Sequence, residues 1–172
     1  MTCRRALIAV VWAALLPATM VQAEDVVAPD TRVRIEFLRP ERFTDVGNRP
    51  FLGEKVRDAY LADLHRHIER RALRLLADGR TLRILVTDID MAGAFGASRR
   101  GLSDVRVIRD SHPPRIDLQF RIDAGAMVKQ GERRLRNLDF QTGGLMYRGD
   151  SLRYEKALLD DWLDRELGPA GS

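Results

Sequence analysis

Along the chain, the spacing between apolar residues switches between two periods. From Arg32 to Phe37 charged and apolar residues alternate, which predicts a strand with one wet face. Pro40 ends it, and the proline- and glycine-bearing stretch from Glu41 to Gly53 reads as a loop. From Glu54 the apolar residues recur at helical spacing. Val56, Tyr60, Leu64, Ile68, Ala72 and Leu75 mark one side of an amphipathic helix that stops near Gly79.

Period two returns from Leu82 to Asp90. Leu82, Ile84 and Val86 share a face, and Asp88 and Asp90 are expected to continue it as the strand leaves the core. Ala92 to Gly101, with its glycines and the pair Arg99-Arg100, reads as a loop. Asp104 to Arg109 reads as a short strand with Val105 and Val107 inward. After Pro113-Pro114, Ile116, Leu118, Phe120 and Ile122 alternate with Arg115, Asp117, Gln119 and Arg121. A turn at Asp123-Ala124-Gly125 then sends Ala126 to Leu135 back as the second arm of a hairpin. Gln141 to Gly149 reads as a loop. Asp150 or Ser151 is placed to cap a last helix striped by Leu152, Leu159, Trp162, Leu163 and Leu167, which Gly168-Pro169 stops.

The order is therefore β-α-β-β-β-β-α. Strands with one polar face do not suit a parallel sheet covered on both sides. The pattern predicts an α+β fold: a two-layer sandwich of a mostly antiparallel sheet, four- or five-stranded, with two helices on one face.

The start of the chain has a different character. Arg4 and Arg5 precede an unbroken apolar run from Ala6 to Leu16, then Pro17, then Val21-Gln22-Ala23. This is the pattern of a cleavable secretory signal, with cleavage expected after Ala23 and a periplasmic destination. The run is too short to cross a ~30 Å hydrocarbon core as a helix, so no membrane span is expected after cleavage. The expected organisation is a signal peptide over 1–23, a flexible leader over 24–31, one α+β domain over 32–168 and a tail over 169–172.

Composition bounds the rest. The chain has 172 residues, 45% apolar and 31% charged, with a formal charge of +4. Loss of 23 residues, two of them arginine, would leave 149 residues and a charge of +2. That balance and the 6% aromatic content do not suit a nucleic-acid partner. Cys3 would leave with the signal, so neither a disulfide nor a cysteine nucleophile is expected.

Several segments resemble the domain of unknown function 3016, a family of exported proteobacterial proteins. They are Thr87-Asp88-Ile89-Asp90-Met91-Ala92-Gly93, Asp104-Val105-Arg106, Pro113-Pro114-Arg115-Ile116-Asp117, Gly131-Glu132-Arg133-Arg134-Leu135 and Tyr154 to Leu163. The resemblance runs from about Arg32 to Leu167. It implies an exported α+β protein and carries no activity.

Asp88, Asp90, Asp104 and Arg106 are the candidate binding residues. Carboxylates at i and i+2 on a strand point the same way. Asp88 and Asp90, with Asp104 as a third oxygen donor, could bind a hard cation or share acid–base work. The plainer expectation is that they pair with arginines or accept backbone N–H groups. His65 and His67 lie about 200° apart around a helix, which does not suit a metal site. His112 reads as a solvated loop residue. There is no G-x-S-x-G motif. Arg66, Arg70, Arg71 and Arg74, and separately Arg133, Arg134 and Arg136, form basic clusters: solvated faces, or sites for an anionic envelope component. Tyr154 and Trp162 read as core.

No cofactor is implied. The function expected is that of a non-enzymatic envelope-binding or accessory module. A carrier of a small apolar ligand would instead require a cavity of several hundred Å³. A metal-assisted hydrolase would require Asp88, Asp90 and Asp104 to converge.

Overall fold

The computed structural model describes residues 32–46, 53–95, 106–142 and 144–168. The expected signal peptide, leader and tail lie outside these residues. The elements are β1 (Val33–Phe37), α1 (Gly53–Leu75), β2 (Arg80–Asp90), β3 (Ala94–Phe95), β4 (Arg106–Val107), β5 (Arg115–Ala124), β6 (Met127–Arg136) and α2 (Arg153–Leu167). Four strands form one mixed sheet in the order β1-β2-β5-β6. β1 runs parallel to β2, and the β2–β5 and β5–β6 pairs are antiparallel. β3 and β4 form a separate two-stranded sheet.

The alternation of apolar residues decides which face of the sheet is covered. Leu82, Ile84, Val86, Ile116, Leu118, Phe120 and Ile122 are buried with Leu64, Ile68 and Ala72 of α1 and Leu159, Trp162 and Leu163 of α2 in one apolar cluster. Each large side chain taken out of water there contributes about 1.5–3 kcal/mol. Trp162 sits edge-on to Phe120, ring centroids 5.7 Å apart, and Tyr154 is buried too. The opposite face stays polar, with pairs such as Arg121–Asp123, Gln119–Glu132 and Arg134–Asp117. The fold is an α+β sandwich, as the periodicity predicts.

Three readings need correction. Asp88 and Asp90 do not continue the face of Leu82, Ile84 and Val86. The β2–β5 register shifts between Val86 and Asp88, leaving Thr87 as the extra residue of a bulge, its hydroxyl donating to the Asp117 carbonyl. One extra residue inverts the alternation. Ile89 therefore takes the buried position, and Asp88 and Asp90 pair with Asp117 and Arg115 on the polar face. Second, the strand expected over 104–109 is in strand conformation only at Arg106–Val107. It pairs with Ala94–Phe95, inside the segment read as loop, and Val107 is 39% exposed instead of inward. Asp104 and Val105 lie outside the described residues. Third, the hairpin turn sits slightly later: Ala124 pairs with Met127, and Gly125 supplies the positive φ that a two-residue connection demands.

The two helices are clamped by ion pairs and a hydrogen bond along one seam. Lys156 Nζ lies 2.7 Å from Asp63, His67 Nε2 2.9 Å from Asp160, and Arg71 Nη2 2.6 Å from Asp164. The partners advance together by four residues on each helix, so α1 and α2 run in the same direction. The N-cap of α2 is Leu152 instead of Asp150 or Ser151; Asp150 Oδ1 accepts the Leu152 N–H just ahead of the helix, while Oδ2 takes the Lys156 ammonium.

Candidate functional site

The C-terminal end of β2 gathers three of the four residues singled out from sequence. Asp88 accepts the backbone N–H and the hydroxyl of Thr44, each at 2.7 Å, and its Oδ2 lies 2.7 Å from Arg115. Burial pushes this carboxyl up, but the Thr44 bonds and the Arg115 guanidinium outweigh it, and its pKa falls below the ordinary value. Asp90 is held more loosely, 3.7 Å from Arg115. Its carboxyl is pushed up by burial against the pull of Arg115, and the nearby Asp45 and Asp88 charges add to the rise. The plainer expectation thus describes Asp88: it pairs with an arginine and accepts a backbone N–H. Asp104, the proposed third oxygen donor, lies outside the described residues. Among the described residues, no three His, Cys, Asp or Glu side chains are grouped to hold a metal ion.

Arg106 ties this network to the backbone. Its Nη1 donates to the carbonyls of Met91, Ala92 and Gly93, best to Gly93 at 3.0 Å, and Nη2 meets Asp45 at 2.7 Å. Its guanidinium also lies over the Phe95 ring, 4.5 Å from the centroid. Three carbonyls left over where β2 stops are thereby satisfied by one side chain. Gly93 closes the corner at φ +75°, and a Cβ there would come within 2.5 Å of the Val107 carbonyl oxygen. No other residue fits without displacing β4.

Behind Arg106 lies a cavity of about 470 Å³. Its wall takes Val56 and Tyr60 from α1, Met91 and Ala92 from the end of β2, Phe95 from β3, and Ile108. The first turn of α2 and the residues before it close the other side with Asp150, Ser151, Arg153, Tyr154 and Glu155. The size falls in the range of ~300–1,000 Å³ common for small-ligand sites.

Glu155 is the unusual member of that wall. It is 1% exposed. Its Oε1 accepts the Ala92 N–H at 2.8 Å, and its Oε2 has no hydrogen-bond partner. Burial pushes the carboxyl up, against the pull of the Ala92 N–H and of the Arg106 charge. A buried carboxyl oxygen left without a hydrogen bond costs stability.

The histidines behave as their helical phase predicts. His67 is buried against α2 and faces Asp160 and the Tyr147 ring, while His65 is only half-buried. The basic clusters are partly neutralised: Arg66 and Arg71 pair with Asp63 and Asp164, and Arg133 and Arg134 with Glu166 and Asp117. Among the described residues, no helix is long and apolar enough to cross a membrane.

A family model described as a protein of unknown function, DUF3016, matches residues 31–165. The chain belongs to the DUF3016 family. No curated protein and no solved structure matches the chain. The family match spans β2, the cavity and nearly all of α2, so this DUF3016 protein's distinctive end lies inside the shared region.

Sequence reasoning selected Asp88, Asp90 and Arg106 but missed Asp45, Thr44 and Glu155. Asp45 and Thr44 come from a loop that only the fold brings to the end of β2. Glu155 did leave a signal. It sits three residues after Leu152 and four before Leu159, a charge inside the apolar stripe of α2.

Proposed function

We propose that this DUF3016 protein is exported to the periplasm and acts there as a binding module rather than an enzyme, with the cavity beside Glu155 as its ligand site. Two readings of the sequence, a partner-binding module and a carrier of a small molecule, differ over the need for an internal cavity. The cavity of about 470 Å³, lined by Val56, Tyr60, Met91, Phe95 and Ile108 with Arg106, Asp150 and Arg153 among its polar groups, is the observation that supports the carrier. Apolar walls favour burial of a hydrocarbon body, and the few polar groups beside them would fix its orientation. The signal-like start, Arg4 through Ala23, supports export.

The test is to express the full chain in a Gram-negative host, recover the periplasm and weigh the protein by native mass spectrometry. The expected species begins at Glu24 and carries a small molecule that leaves on denaturation. Recovery only in the cytoplasm would overturn export. Recovery without a ligand, crosslinked to an envelope protein away from the cavity, would return the protein to the accessory-module reading.

A further inference from the structure

We infer that the cavity takes a small carboxylate with an apolar tail, whose oxygens accept from the Arg153 guanidinium. The inference rests on the cavity being a ligand site, and goes further by assigning the chemistry of the ligand. It starts from the charges on the wall, which are Arg106, Asp150, Arg153 and Glu155. Arg106 meets Asp45 at 2.7 Å, and its charge also acts on Glu155. Asp150 gives one oxygen to the Lys156 ammonium and the other to the Leu152 N–H. The unbonded oxygen of Glu155 is sealed off by burial. Of the two cations on the wall, Arg153 is the one that meets no carboxylate among the described residues.

Arg153 is nonetheless held in place. Its guanidinium lies over the Tyr154 ring, 4.3 Å from the centroid, and Nη2 donates to the Tyr154 hydroxyl. Tyr154 is itself buried, edge-on to Phe140 with centroids 4.8 Å apart. One face of the planar cation is thus stacked, so a ligand would not have to order a free arginine side chain. Nε and Nη1 make no hydrogen bond among the described residues, and neither is sealed from solvent. In-plane donors of this kind suit a planar carboxylate, and a charge-assisted bond beside apolar walls is stronger than one in water. Val56, Met91, Phe95 and Ile108 would cover the hydrocarbon. An ammonium head would meet two arginines there, and an alcohol would leave the Arg153 charge unmatched.

Three probes of equal length separate the alternatives: hexanoate, hexan-1-ol and hexylamine, titrated by calorimetry into the protein expressed from the full chain. Hexanoate is expected to bind at least tenfold more tightly than hexanol, and hexylamine more weakly than either. Arg153→Gln removes the charge and keeps a polar side chain of similar reach. It should erase the carboxylate preference and leave hexanol binding within about twofold. The Arg153 Nε–H resonance gives a second reading that needs no variant, since it should shift with hexanoate and not with hexanol. Equal binding of carboxylate and alcohol, a carboxylate preference that survives in Arg153→Gln, an Nε–H resonance unmoved by hexanoate, or tightest binding of hexylamine would each overturn the assignment while keeping the cavity as a binding site. Binding of none of the three would remove the ligand site itself, and the assignment with it.

Discussion

Glu155 and Lys156 are neighbours in the chain, both buried and both charged in type, yet they meet opposite fates. Lys156 points along the seam between the helices and finds Asp63 and Asp150. Burial lowers its pKa, but the two carboxylates more than reverse this and hold it above the ordinary lysine value. Glu155 points toward the end of β2 and finds one backbone N–H, with its second oxygen bare. One region pairs opposite charges across the two helices and serves to fix them. The other leaves one carboxyl oxygen without a hydrogen bond. Satisfied buried charges specify a structure, whereas an unsatisfied polar atom costs stability.

The sharpest way to break this comparison is to remove the paired charge. Lys156→Ala strands two partly buried carboxylates and should cost about 3 kcal/mol in urea unfolding. A loss under about 1 kcal/mol would mean that water replaces the lysine, and the seam would no longer differ from a surface pair. Gly93→Ala probes the cavity end instead. The positive φ and the close Val107 carbonyl should cost about 2 kcal/mol, with backbone shifts confined to β3 and β4 in amide spectra. An unchanged midpoint would show that this corner yields easily. Tyr147→Phe removes the hydroxyl that donates to Asp160 and should cost about 1.5 kcal/mol. Burial, with the Asp160 carboxylate beside it, pushes the Tyr147 phenol up to about 12. An absorbance titration should accordingly lose its latest-ionising tyrosine in the variant.

The smallest effect should carry the opposite sign. Glu155→Gln is expected to raise stability by about 1 kcal/mol toward higher pH, because it removes a carboxyl whose ionisation burial opposes and keeps the Ala92 bond. Its pH dependence also runs opposite to that of the seam. Asp63 is held below the ordinary range by its bond from Lys156, and Asp160, despite burial, by bonds from His67 and Tyr147. Their stabilisation is present above the unfolded carboxylate pKa of about 4 and is lost as pH falls through their lower folded values. Burial raises Glu155, so its contribution is intact below about pH 4 and is lost as pH rises through its folded value. Urea midpoints measured from pH 4 to 8 should therefore show the two proteins converging at the acid end and separating toward neutrality. A constant difference would mean that Glu155 does not titrate in this window.

Much of the fold was legible because period and burial are linked. The alternation over Ile116 to Ile122 and the helical spacing over Val56 to Leu75 leave little choice of which face meets the core. The bulge at Thr87 was not legible. A one-residue insertion leaves the string Leu-Val-Thr-Asp-Ile-Asp looking like a strand that continues in phase, and only the register against β5 reveals the shift. The seam was half legible. Asp63, His67 and Arg71 follow helical spacing, as do Lys156, Asp160 and Asp164, but nothing in one helix names its partner in the other.

What the sequence determined by itself is local: where the chain helixes and extends, which side chains turn inward, and the signal-like character of its first residues. These follow from spacing, because neighbours along the chain set each residue's direction. The tertiary structure alone decided which charges are paired. Asp88 gains Thr44 and Arg115, Arg106 gains Asp45 and three carbonyls, and Glu155 gains the Ala92 N–H, because each partner comes from another part of the chain. Charge satisfaction depends on distances across the fold, and one-dimensional spacing does not encode them.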